Sequence, residues 1–309
     1  MNALRIILDA RGYARHPSEL SMRYGDSWML HNLAKAVRSM GHDTHVILDG
    51  YVEMYEDGIS YWPSERFPQV CDVYIAPSAK ARGSFRARTG ITGQELWDIM
   101  PGAETHHKGG KGLKKKARSM IWTADADKGL WHLMDIWPLV KAEVPDASLV
   151  IAHNLDGYID NFKWEHDYRG LQAWNLMEWT HEDQDITVLG QVSREVLAEY
   201  QAEASIFAYP CDPCFPQANH RSLGTLEAAA TGCALLLSPE ERLYEDYEGI
   251  AAFLESPWHY EDWAEIIVRW MRSEDECLEW QEKALAFGQE HTWEQFGEQW
   301  SRKLQEIGI

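Results

Sequence analysis

Residues Ser205 to Ser238 constrain the fold more than any other part of the chain. The apolar run Ile206–Tyr209 reads as a strand, and a loop rich in proline and cysteine follows it. The spacing then predicts a helix over 221–231 and a second buried strand over 234–237. Gly232 falls where the helix must stop, a position that favours left-handed backbone angles. Leu223, Leu226, Ala230 and Thr231 recur at core spacing, so the helix is expected to lie on a parallel sheet. One carboxylate, Glu227, stands inside this otherwise apolar helix. It is either a solvated edge residue or a ligand-binding group, and the local pattern leaves both open.

Apolar runs alternate with helical patterns along most of the chain, which predicts parallel sheets built from βαβ units. Strands are expected at 5–9, 44–48 and 72–76, with a helix over 28–40 that ends at Gly41-His42. A second series runs from strand 120–123 through helix 128–143 to strand 148–153. Strands at 186–189, 205–209, 234–237 and 250–254 continue it, with a helix over 193–203. Helices are expected over 260–272, 273–290 and 292–307, the last opened by a Thr292/Gln295 capping box. This order implies an α/β chain of two Rossmann-like domains. The first covers 1–117, with a terminal helix at about 292–309 packing back on it, and the second covers 118–291.

Charge narrows the partners. The net charge is −20, which discourages non-specific binding of nucleic acid by the whole chain. From Lys80 to Arg118, however, ten basic residues face three acids, leaving −27 on the remainder. That stretch, with Lys108-Gly-Gly-Lys-Gly-Leu-Lys-Lys-Lys-Ala-Arg118 at its end, reads as a linker or as an anion-binding edge. No apolar run is long enough to span a bilayer, and Met1–Asp9 reads as a strand rather than a signal peptide. Five cysteines without framework spacing fit reduced thiols in the cytoplasm, with Cys211-Asp-Pro-Cys214 read as loop thiols. Among the fifteen tryptophans, Trp131 and Trp137 fall at core spacing. Trp164, Trp174 and Trp179 lie in a polar stretch that suits a cleft.

Two further motifs carry chemistry. Ile121-Trp-Thr-Ala-Asp-Ala-Asp-Lys128-Gly129-Leu130 puts a lysine and a glycine at a strand-to-helix junction. That is where open α/β sheets bind ligands, and helix amides with Lys128 suit a diphosphate. Asp125 and Asp127 read as helix-start residues rather than metal ligands, so no metal is expected. The first strand is not followed by Gly-x-Gly-x-x-Gly, which disfavours a nicotinamide dehydrogenase.

Glu227-Ala-Ala-Ala-Thr-Gly-Cys-Ala-Leu-Leu-Leu-Ser238, together with Lys128-Gly129, resembles the C-terminal domain of retaining glycosyltransferases of the GT-B fold. In that family the motif is Glu, seven residues, Glu. Here the first Glu is replaced by Asn219, and the arginine five residues before the lysine is replaced by Thr123. The resemblance implies two Rossmann-like domains facing a central cleft. It also implies sugar transfer from a nucleotide-diphosphate sugar, a UDP-sugar by expectation, to a hydroxyl with retention of configuration and without metal. It assigns the ribose hydroxyls to Glu227 and the donor sugar or phosphates to Asn219, beside His220 and Arg221. Lys128 and Gly129 take the diphosphate, with Thr123 and Leu223 nearby. Gly190 and Val192 lie against the base, and His153, Asn154 and Asp156 lie near the same ligand. Lys128, Asn219 and a first-domain histidine, His107 or its neighbour His106, are the catalytic candidates. Arg11, Gly25 and Asp26 fall on the acceptor side, and Arg15 and Arg23 are further sources of the missing positive charge. The basic segment favours an anionic acceptor: a lipid phosphate, an acidic glycan, or DNA with a hydroxymethylated base. The two replacements leave a second reading open, a non-catalytic nucleotide-sugar-binding protein.

Overall fold

The computed structural model describes residues 5–9, 26–48, 54–56, 59–63, 73–75, 102–103, 115–124, 126–155, 178, 185–211, 222–239 and 241–306. The chain divides into two compact units, one formed by Met1–Gly102 with His291–Ile309 and the other by Ala103–Glu290. Among the described residues no helix is long and apolar enough to cross a membrane.

The first unit is built on a five-stranded sheet. Its strands are β1 (Arg5–Asp9), β2 (Asp43–Leu48), β3 (Met54–Glu56), β4 (Ile59–Pro63) and β5 (Val73–Ile75), in the order β3-β4-β2-β1-β5. All neighbours are parallel except β3 and β4. The pair β3 and β4 is absent from the sequence reading, because three residues are too few to show alternation and β4 ends on Pro63. Helix α1 (Asp26–Ser39) buries Leu33, Ala34 and Val37 and joins β1 to β2. The same unit takes back the C-terminal helix, designated α8 below (Trp293–Glu306), which packs on α1 with Gly297 against the Ala36 methyl group.

That returning helix begins as its residues dictate. The Thr292 amide donates to Gln295 Oε1 at 3.1 Å, and the Gln295 amide donates to Thr292 Oγ1 at 3.2 Å. Two amides that the helix itself cannot satisfy are thereby paired. Thr292→Ala is therefore expected to destabilise the unit by about 1 kcal/mol, measured as a lowered denaturant midpoint at unchanged slope.

The second unit carries an all-parallel, six-stranded sheet. Its strands are β6 (Ser119–Trp122), β7 (Ser148–Ile151), β8 (Ile186–Val188), β9 (Ile206–Tyr209), β10 (Ala234–Leu237) and β11 (Ala252–Phe253), in the order β11-β10-β9-β6-β7-β8. Every residue of β6, β9 and β10 is buried, as unbroken apolar runs in a doubly covered parallel sheet require. The connecting helices are α2 (Leu130–Glu143), α3 (Arg194–Glu203), α4 (Leu223–Ala230) and α5 (Glu241–Tyr247); α6 (Tyr260–Arg272) and α7 (Glu274–Glu290) follow β11. Helix α2 packs on α6, where Leu133, Trp137 and Val140 of one and Trp263, Ile267 and Trp270 of the other are buried. Helix α7 packs on α4, and Gly288 allows it: a Cβ there would stand 2.3 Å from the Ala230 backbone. Helix α5 is a further element that the sequence reading passed over.

The stretch 205–238 folds as its residues suggest. Ser222 caps α4 by accepting from the Thr225 amide, and Gly232 follows the helix at φ 80°. There the amides of Gly232 and Cys233 donate back to Ala229 and Ala228, closing the helix end.

Candidate functional site

The strand order fixes where a ligand site can form in the second unit. From β6 the chain moves outward to β7 and β8, and from β9 it moves the opposite way to β10 and β11. β6 and β9 are neighbours, so their carboxyl ends flank a topological switch point, the position where open α/β sheets hold ligands.

Three turns meet there. After β6 the indole N–H of Trp122 donates to the Ala124 carbonyl at 2.7 Å and turns the chain out of the sheet. A 3-10 turn, Ala126–Lys128, then leads to Gly129 at φ 119°, which caps α2. The helix thus begins at Leu130, two residues later than the sequence reading places it, because Gly129 adopts an angle that side-chain-bearing residues rarely take. A Cβ on Gly129 would lie 2.1 Å from the Pro210 carbonyl oxygen, so the turns after β6 and β9 touch backbone to backbone. The third turn is the start of α4. Here a Cβ on Gly224 would lie 2.8 Å from Thr123 Oγ1. Thr123 and the α4 N-terminus therefore face each other across the switch point. Three side-chain hydroxyls, Thr123 Oγ1, Thr225 Oγ1 in the first turn of α4 and Ser238 Oγ after β10, are buried without a hydrogen-bond partner among the described residues. Buried hydroxyls of that kind suit a ligand with several polar groups.

Glu227 lies in the second turn of α4 and is 2 % exposed, so it is no solvated edge residue. Its carboxylate oxygen Oε1 accepts from Nη2 of Arg194, itself 8 % exposed. The two form a buried ion pair. Arg194 is the first residue of α3, immediately after the Ser193 cap, which accepts from the Val196 amide at 3.3 Å. Sequence reasoning passed over Arg194. One signal pointed to it: a cation in a helix's first turn opposes the helix dipole and calls for a nearby acid.

The remaining proposed positions fall as follows. Lys128 is half-buried in the 3-10 turn, and His153 and the exposed Asn154 follow β7. Gly190, at φ 66°, and Val192 form the turn between β8 and α3. Leu223 is the first residue of α4 and is buried. Thr123, Lys128, Gly129, His153, Gly190, Val192 and Leu223 thus all belong to turns or helix starts on the carboxyl side of one sheet, and Glu227 lies one turn into α4. Asp26 is the first residue of α1 rather than part of the preceding loop. Asn219, His220, Arg221, Asp156, His106, His107, Arg11, Arg15, Arg23, Gly25, Asp125, Cys214, Trp164, Trp174 and Trp179 lie outside the described residues. Trp137 is buried and Trp131 half-buried, and Cys211 is a buried free thiol.

The end of the basic segment serves the opposite edge of the sheet. Lys115 Nζ donates to the Gln201 carbonyl at 3.1 Å, Lys116 pairs with Glu203, and Arg118 pairs with Asp146 at 2.6 Å. These three cations are committed to the amino-terminal side of β6, away from the switch point.

No protein-family model and no curated protein matches the chain. Solved structures do. The chain is similar to sucrose-phosphate synthase from Thermosynechococcus elongatus with a TM-score of 0.68 at 13 % identity, covering 98 % of this chain and 99 % of that one. It is similar to the trehalose-6-phosphate synthase OtsA with a TM-score of 0.64 at 10 % identity, covering 97 % and 99 %. It is also similar to WaaG, a glycosyltransferase involved in lipopolysaccharide biosynthesis, with a TM-score of 0.62 at 12 % identity, covering 95 % and 98 %. Over nearly its whole length, this chain has the parallel-sheet α/β architecture of the GT-B glycosyltransferases.

Proposed function

We propose that the protein is a glycosyltransferase that takes its donor, a nucleotide-diphosphate sugar, at the β6/β9 switch point and transfers the sugar to a hydroxyl with retention of configuration. The observation that carries this reading is the placement of Lys128, Gly129 and the buried Glu227 on turns and helices at that point, within a GT-B fold. An ionised carboxylate accepts from both hydroxyls of a ribose, and Glu227 is the residue given that role. Lys128 and the amides at the start of α2 offset the charge of the departing diphosphate, with no metal required. Asn219 faces the sugar, and the diphosphate oxygen takes the acceptor proton on the same face, so no side-chain base is needed. His107, outside the described residues, is the histidine proposed for the reacting carbon. Arg11, Gly25 and Asp26 contribute to the acceptor side, and Arg221 supplies positive charge where Thr123 supplies none.

The acceptor is anionic in this reading, held by the cations of the segment before Lys115, and the reaction is cytoplasmic. The test begins with thermal shifts of the protein against UDP-, GDP- and ADP-sugars, followed by transfer assays with the stabilising donor at rising salt. Stabilisation by one donor class is expected, with turnover that falls steeply as salt rises. No shift with any donor would sink the reading. Salt-independent transfer to a small neutral sugar would remove the anionic acceptor, and transfer to hydroxymethylated DNA would identify it. Thr123 and Asn219, at two donor positions, favour one second reading, a binding protein without turnover. Donor binding with neither transfer nor hydrolysis would establish that reading instead.

A further inference from the structure

A cation in the first turn of a helix meets the positive end of the helix dipole, and a buried guanidinium also loses its water. Arg194 accepts both costs at the start of α3, and Glu227 is what offsets them. The arrangement is specific to side chains 33 residues apart. Ser193 caps the helix and Gly190 sets the turn before it, so the guanidinium leaves a fixed backbone position. Glu227 is 2 % exposed, so the direction its carboxylate oxygens take is set by the groups buried around it. The guanidinium beside Glu227 donates from Nη2 to its Oε1 and so restricts how the carboxylate can turn.

We infer that Arg194 is the positioning residue that makes the site select ribose over 2′-deoxyribose in the donor. The inference rests on the reading of Glu227 as the ribose-binding group. Arg194 need not touch the donor. It holds Glu227 as an oriented acceptor-only carboxylate, and only that form rewards both hydroxyls of a vicinal diol. A donor lacking the 2′-hydroxyl loses one charge-assisted hydrogen bond, which corresponds to about tenfold or more in affinity. With Arg194 removed, the carboxyl group is free to turn and the reward for the second hydroxyl disappears.

The experiment measures, by calorimetry, the affinities of the full chain for UDP and 2′-deoxy-UDP. GDP and ADP with their deoxy forms replace them if the donor panel selects those bases. The wild type is expected to prefer the ribonucleotide by about tenfold or more. Arg194→Gln is expected to bring the ratio near one, chiefly by weakening the ribonucleotide. Arg194→Lys restores the charge without the planar fork and should recover part of the preference. A wild-type ratio of one overturns the Glu227 reading itself. A wild-type preference that survives intact in Arg194→Gln overturns the role of Arg194 while leaving Glu227 in place. A general loss of packing would weaken both nucleotides equally in both variants, and that outcome also counts against the inference. If Arg194→Gln does not fold, the ratio in Arg194→Lys decides: a value equal to wild type overturns the inference, and an intermediate one supports it.

Discussion

Glu227→Ala should abolish detectable nucleotide-sugar binding and, in the same step, cost the fold about 3–5 kcal/mol, because it removes the carboxylate from a buried ion pair with Arg194. Each ribose hydroxyl deprived of its carboxylate acceptor lowers the affinity by a further factor of about ten to a hundred. The two effects separate in other variants. Glu227→Gln keeps an oxygen for Arg194 but not the charge, so it should be less destabilised while still losing the donor. The pair Arg194→Met with Glu227→Leu replaces two buried charges by apolar groups of similar volume. It is expected to regain most of the stability of the wild type and none of the binding. Denaturant melts give the first quantity and calorimetry with the preferred nucleotide gives the second. A double variant that still binds the donor would place the ribose elsewhere.

The second large effect concerns the turn after β6. Gly129→Ala puts a methyl group 2.1 Å from the Pro210 carbonyl oxygen at a φ of 119°. Overpacking costs about 1–3 kcal/mol and the backbone angle about 1–2 kcal/mol more, so a loss of about 2–5 kcal/mol is expected. Relief by movement would part the turns after β6 and β9 and so weaken donor binding as well. Gly190→Ala is the control, since Gly190 also has positive φ, at 66°, but nothing within 4 Å of an added Cβ. It should show the backbone term alone, about 1–2 kcal/mol. Equal stability of the two variants, measured by urea unfolding, would mean that the close approach to Pro210 is not a constraint.

The fold was legible wherever one residue pattern answers to one physical requirement. The apolar runs 206–209 and 234–237 had to be doubly covered strands, and each is buried throughout. Thr292 and Gln295 had to cap a helix, and they do so through both hydrogen bonds. Gly232 had to close α4. Short elements escaped: β3 has three residues, too few for a period, and β4 ends on a proline that reads as a break. The start of α2 was misplaced because the sequence shows a glycine but not the angle it adopts. At the site, Glu227 stood out as a lone acid among apolar neighbours, whereas Arg194 did not. No local rule joins residues 33 positions apart, and only the docking of α3 beside α4 brings their side chains together. Arg11, proposed for the acceptor side, and His107, proposed as a catalytic residue, both lie outside the described residues.

The order of the second sheet makes the switch point a seam as well as a crevice. β6, β7 and β8 form one half, and β9, β10 and β11 form the other. Two ladder pairs, Met120 with Ile206 and Ile121 with Phe207, join the halves, together with the bond from the Ser205 amide to the Ser119 carbonyl, against four ladder pairs in each adjoining pairing. These strands lie far apart in the chain, so closing the join carries the loop-entropy cost of a long intervening segment. A donor bound as proposed, against the turn after β6 and the start of α4, would span that join like a clamp. Ligand occupancy and the integrity of the sheet are then two readings of one equilibrium: whatever loosens the seam empties the crevice, and whatever fills the crevice tightens the seam.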